Sequence, residues 1–120
     1  MTTMNSVIEY VDSVKPNAYS ENEKYRWLHT LEGLISREVH DDHAPECNLP
    51  EDADAPLMVP SPYDELYSLY VMAMIDFHNR EYDDYNNTIL VFQERLEQYK
   101  AWYIRNRSAS RSRNFRNVMG

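Results

Sequence analysis

The sequence predicts an all-α protein, a small antiparallel bundle of about four helices, and three observations carry that prediction. Only two glycines occur, Gly33 and Gly120, too few for the tight turns an all-β chain depends on. Apolar residues recur at three- and four-residue steps along four stretches and do not alternate as they would in strands. With 120 residues the chain has the size of one domain with one core. We place that domain at residues 1–107 and a flexible Arg- and Ser-rich tail at 108–120.

The first helix is predicted from about Thr3 to Val14. Met4, Ile8 and Val11 make its stripe beside Val7 and Val14, and Pro16 ends it. The second is predicted to start at Ser20, whose hydroxyl can cap it while Glu23 reaches back as in a capping box. Its apolar face is Leu28, Leu31, Ile35 and Val39. Residues 41–60 hold Pro45, Pro50, Pro56 and Pro60 among many acids and read as a long acidic loop. A connection of that length either reaches toward a partner or has no role of its own. Ser61 and Pro62 look like a cap followed by proline at the first helical position, so the third helix is predicted to start there. Its stripe is Tyr63, Tyr67, Tyr70, Met74 and Phe77. After a turn near Asn79 to Asp83, the fourth helix places Tyr85, Ile89, Phe92, Leu96, Tyr99 and Tyr103 on one seam. Residues 108–117 lack an apolar face and are expected to stay unstructured until they meet a partner.

Formal net charge is −8, unevenly spread. Up to Lys100 seven Lys or Arg face twenty acids, a formal −13, whereas Arg105, Arg107, Arg111, Arg113 and Arg116 follow with no acid. An acidic body repels phosphate, while an arginine arm can pair with an acidic protein surface or with DNA. No stretch approaches the roughly 18–20 apolar residues of a membrane helix. The opening residues lack a basic and then apolar leader, so no membrane partner and a cytosolic origin are expected. The lone Cys47 rules out a disulfide within the chain.

Residues 69–75, Leu-Tyr-Val-Met-Ala-Met-Ile, are apolar or aromatic without a break, so two turns of the third helix are hydrophobic all round. Leaving a Leu, Ile or Met in water forfeits about 1.5–3 kcal/mol, which points to cover by other subunits. Tyr63, Tyr67, Tyr70, Val71, Met72, Met74 and Trp102 are the candidate subunit interface. The other reading makes this helix the central one of a four-helix monomer.

Catalytic machinery is not evident. His40, His43 and Cys47 with intervening acids could offer metal ligands, but a second paired ligand set is missing. Carboxylates beside Cys47 would also raise a thiol pKa, against a role as nucleophile. His29 and His78 fall inside helices and read as packing or surface residues. The chain has too few glycines for a phosphate loop or a nucleophile elbow. No catalytic residue, cofactor or metal is therefore expected, and an enzyme is not.

One segment is distinctive: Leu57-Met58-Val59-Pro60-Ser61-Pro62-Tyr63-Asp64-Glu65-Leu66-Tyr67, followed by Tyr70, Ile75-Asp76, Asn79, Glu81-Tyr82, Tyr85-Asn86-Asn87 and Trp102-Tyr103. With Lys15-Pro16-Asn17, Tyr19, Lys24, Trp27-Leu28 and Leu31-Glu32, it resembles the head-tail connector, or adaptor, proteins of long-tailed bacteriophages and prophages over about residues 5–104. The resemblance implies a helical virion protein of the neck, assembled in the host bacterial cytoplasm. It also implies a homo-oligomeric ring, commonly of twelve copies, beneath the portal protein and above a downstream neck or tail completion protein. DNA would pass through such a channel without specific binding, which an acidic wall favours. On the same reading Arg105, Arg107, Arg111, Arg113 and Arg116 would contact the portal or another partner. A second function class stays open, a small helical nucleic-acid-binding or regulatory protein acting through that arm.

Overall fold

Thr3 opens the first helix by exchanging both capping bonds with Ser6, its side chain accepting from the Ser6 amide and its own amide donating to the Ser6 hydroxyl. The computed structural model describes the backbone of residues 2–40 and 54–119 and the side chains of residues 2–40 and 54–106. Within them lie α1 (Met4–Val14), α2 (Glu21–Glu38), α3 (Glu65–His78) and α4 (Tyr82–Met119), and the all-α fold stands as predicted. Ser20 caps α2, accepting from the Glu23 amide at 3.2 Å. The predicted stripes of α1 and α2 are the buried ones: Met4, Val7, Ile8 and Val11 meet Leu28, Leu31, Ile35 and Val39 in one core. Val14, placed beside that stripe by the sequence, is exposed instead.

The third helix begins later than predicted. Ser61 and Pro62, joined by a cis bond, belong to a turn over residues 61–64, and Asp64 takes the N-cap position. The Ser61 hydroxyl donates to the Asp64 carboxylate at 3.0 Å and does not cap a helix amide. Thr2 donates to the same carboxylate. The chain before this turn is also more ordered in its contacts than an acidic loop suggests. Pro56 forms an antiparallel bridge with Thr3, the Leu57 amide donates to the Thr2 carbonyl at 2.8 Å, and Val59 is buried in the core. Residues 41–53, with His43, Cys47 and most of the loop's acids, lie outside the described residues.

α3 is the central element. α1, α2 and α4 all pack on it, while the α4 backbone comes close to no other helix among the described residues. This explains the all-round hydrophobicity of 69–75 inside one chain: Val71 and Ala73 are 0% exposed and Ile75 1%, with Leu69 buried and Tyr70, Met72 and Met74 half-buried. The expectation that this run needs neighbouring subunits is corrected accordingly. Tyr67 and Val71, placed at a subunit interface by the sequence, are fully buried core residues. The seam of α4 is as predicted, with Phe92 and Tyr99 buried and Tyr85, Ile89, Leu96 and Tyr103 half-buried. Its backbone continues helical to Met119, past the Arg107 boundary expected from composition.

Candidate functional site

Three places bring polar or aromatic chemistry together. The first is a buried carboxylate on the apolar face of α2. Glu32 accepts a hydrogen bond from the Tyr67 hydroxyl and another from the Met58 amide at 3.0 Å. The Tyr67 hydroxyl itself accepts from the Val59 amide at 3.0 Å. Three segments distant in sequence are thus tied to one carboxylate. Burial raises the Glu32 pKa, and only in part do its bonds to Tyr67 and Met58 offset that. Burial, then the neighbouring Glu32 charge, raises the Tyr67 pKa far above the phenol range.

The second lies at the corner between α3 and α4. Asp76, 1% exposed, accepts from the Lys15 amine at 2.6 Å, while its other oxygen is buried without a partner among the described residues. Carboxylate oxygens of Asp76, Glu81 and Asp84 all come within 4.8 Å of one another. Three carboxylates are a donor set of the kind hard cations take, and the cation actually seated against Asp76 is the Lys15 ammonium. Its hydrogen bond to Asp76, with the nearby charges of Glu81 and Asp84, raises the Lys15 pKa against the opposing effect of burial. Around this point runs a chain of aromatic side chains. Tyr19 lies 5.6 Å from Trp27, Trp27 stacks on His78 at 5.2 Å, and His78 lies 5.5 Å from Phe77. Phe77 in turn faces Tyr85 at 5.3 Å and Tyr82 at 6.1 Å. Phe77, His78 and Tyr82 are exposed.

Comparison with known proteins finds no matching family, no matching curated protein and no matching solved structure.

The third place is the middle of α4. His40 stacks on Tyr103 at 4.5 Å and its Nε2 lies 2.5 Å from the Tyr99 hydroxyl. Tyr63, Tyr99 and Trp102 complete the cluster. Burial, with Tyr103 and Glu32 nearby, pushes the Tyr99 phenol up to about 12. Tyr63 and Trp102, two of the predicted interface residues, are half-buried here against partners in their own chain. Tyr70, Met72 and Met74 are also half-buried, and Tyr70 lines an apolar groove of about 230 Å³ with Leu34, Ile35, Phe92 and Leu96. Of the predicted arm, Arg105 is exposed. The side chains of Arg107, Arg111, Arg113 and Arg116 lie outside those described.

Sequence reasoning missed Glu32 and the corner. Glu32 carried a signal, since an acid beside Leu31 and three residues before Ile35 falls on the buried face of the helix. Asp76 sits between Ile75 and Phe77 in the apolar run, a similar sign. The pairing of Asp76 with Lys15, 61 positions away, has no local signature.

Proposed function

We propose that this chain is a structural assembly subunit, a head-tail connector that joins copies of itself into a ring under a phage portal and carries no catalysis. The observation that supports assembly is the open flank of α4. Among the described helices only α3 lies close along the α4 backbone, and α4 leaves Leu90 and Ile104 more than 60% exposed and Val91 39% exposed. Covering such side chains contributes about 1.5–3 kcal/mol each. The groove between α2 and α4 adds apolar surface next to it, with Glu38 and Lys100 at its rim. Assembly therefore rests on the outer face of α4 and not on the run from 69 to 75, which the chain covers itself.

The connector assignment rests on the resemblance of residues 57–67 and of the Tyr, Asn and Trp positions that follow. Those residues have physical roles in the fold: Val59 and Tyr67 close the network on Glu32, and the Asp64 carboxylate accepts from Ser61 and Thr2 just before α3. The acidic body suits the wall of a DNA channel. Deleting the gene from the phage or prophage that encodes it tests the assignment. Separate heads and tails in electron micrographs are the expected result, and intact tailed particles would overturn it. The nucleic-acid-binding reading is favoured only by the arginine arm. It predicts DNA binding that weakens steeply with salt and is lost without residues 105–120.

A further inference from the structure

The corner between α3 and α4 is unusual for its combination of bare aromatic surface and surrounding acid. Tyr82 is 53% and Phe77 46% exposed, and both belong to the unbroken aromatic chain that runs through His78 and Trp27 to Tyr19. Exposed Glu81, Asp83 and Asp84 edge the patch, with Asp76 already engaged by Lys15. Arg80 is the cation in the turn itself. Flat aromatic faces beside carboxylates suit one chemistry above others. A guanidinium stacks on the ring and donates two parallel hydrogen bonds to the carboxylate, which a lysine ammonium cannot do.

The same chain carries such groups. Arg105, Arg107, Arg111, Arg113 and Arg116 follow the last acid, Glu97, without a single negative side chain. They cannot reach the corner of their own molecule along the helix. α4 starts at the corner with Tyr82 and holds neither glycine nor proline as far as Met119. At about 1.5 Å per residue Arg105 is therefore about 35 Å from the helix start and Arg116 about 50 Å. The molecule's long dimension, 59 Å, agrees with a helix that does not turn back. Aromatic-acidic corner and basic arm stand at opposite ends of one rod.

We infer that the α3–α4 corner binds the arginine arm of a second copy of this chain. The inference rests on the assembly reading and names two of its mating surfaces. Because the surfaces differ, the contact is head to tail, and repetition closes a ring or grows a filament depending on the rotation between copies. A nucleic acid is the weaker occupant for the corner, since Glu81, Asp83 and Asp84 would repel its phosphates.

Two full-length variants test this. In one, all five arm arginines are replaced by serine with the corner intact. In the other, Tyr82→Ala and Asp83→Lys alter exposed corner positions with the arm intact. Circular dichroism verifies the fold of each. By sedimentation velocity, the unaltered chain associates and each variant alone associates at least about tenfold more weakly, as expected for loss of roughly 1.4 kcal/mol or more. A one-to-one mixture of the two restores a single corner-to-arm contact and associates more strongly than either variant alone. Raising salt weakens that contact. Association of either variant at the strength of the unaltered chain, a mixture that stays monomeric, or an unaltered chain monomeric at high concentration would each overturn the inference. If the variants still assemble normally, only this pairing fails and the connector reading stands. If deletion of the gene leaves tailed particles intact, the connector reading fails whatever the variants do.

Discussion

Replacing Lys15 with methionine should be among the most damaging single changes outside the apolar core. The Lys15 ammonium is 2.6 Å from an Asp76 oxygen in a carboxylate that is 1% exposed and whose second oxygen has no partner among the described residues. Methionine keeps the aliphatic stem but removes the charge. It leaves Asp76 as an uncompensated buried anion with Glu81 and Asp84 close by. Removing one partner from a fully buried pair costs about 3–5 kcal/mol. With the Lys15 side chain 30% exposed the lower end, about 3 kcal/mol, is expected, still a large part of the roughly 5–15 kcal/mol that holds a domain of this kind together. At about 4–8 °C per kcal/mol the thermal midpoint should fall by roughly 12–24 °C. Calorimetry measures this directly, and the double variant Lys15→Met, Asp76→Leu supplies the control. Exchanging the whole pair for apolar side chains should restore most of the loss, giving a coupling energy of about 2 kcal/mol or more. The pH dependence follows from the raised Lys15 pKa. The pair's contribution is complete below the ordinary lysine value of 10.5 and is lost as pH climbs through the higher folded value. A drop of less than about 1 kcal/mol for Lys15→Met, or a double variant no better than the single one, would refute the assignment of a buried pair.

Glu32→Gln should become more stable relative to the unaltered chain as pH rises from about 4.5, because the folded carboxyl holds its proton above its ordinary value of 4.5 and its charged form is the disfavoured one. Urea midpoints across pH 4 to 8 check this, and a pH-independent difference would contradict it. Tyr67→Phe removes the hydroxyl that donates to Glu32 and accepts from Val59, so a loss of about 1.5–3 kcal/mol is expected by the same measurement. Arg80 holds a left-handed backbone, φ 63°, in the turn before α4. Arg80→Gly should therefore raise the urea midpoint by about 0.5–1 kcal/mol equivalent without changing the slope.

Much of the architecture was legible because it depends on local chemistry. Thr3 and Ser20 mark helix starts with side chains that bond amides three residues on, and the seam from Tyr85 to Tyr103 repeats at a spacing only a helix uses. The start of α3 was misread because Ser61 and Pro62 satisfy a local rule, whereas the Ser61 hydroxyl bonds the Asp64 carboxylate and no helix amide, and the helix starts after Asp64 without a side-chain cap bond. The run from 69 to 75 showed that α3 is surrounded but not by what. Hydropathy reads the same whether the cover is another subunit or α1, α2 and α4 of the same chain. The corner was harder still, since Tyr19, Trp27 and His78 meet only after α2 and α3 have packed.

Native mass spectrometry of the full chain, alone and mixed with portal protein, bears most directly on assembly. A series of species ending at a ring-sized multiple of the 14.3 kDa chain, formed alone or on the portal, is the predicted spectrum. A single 14.3 kDa species at every concentration, unchanged by the portal, would contradict it.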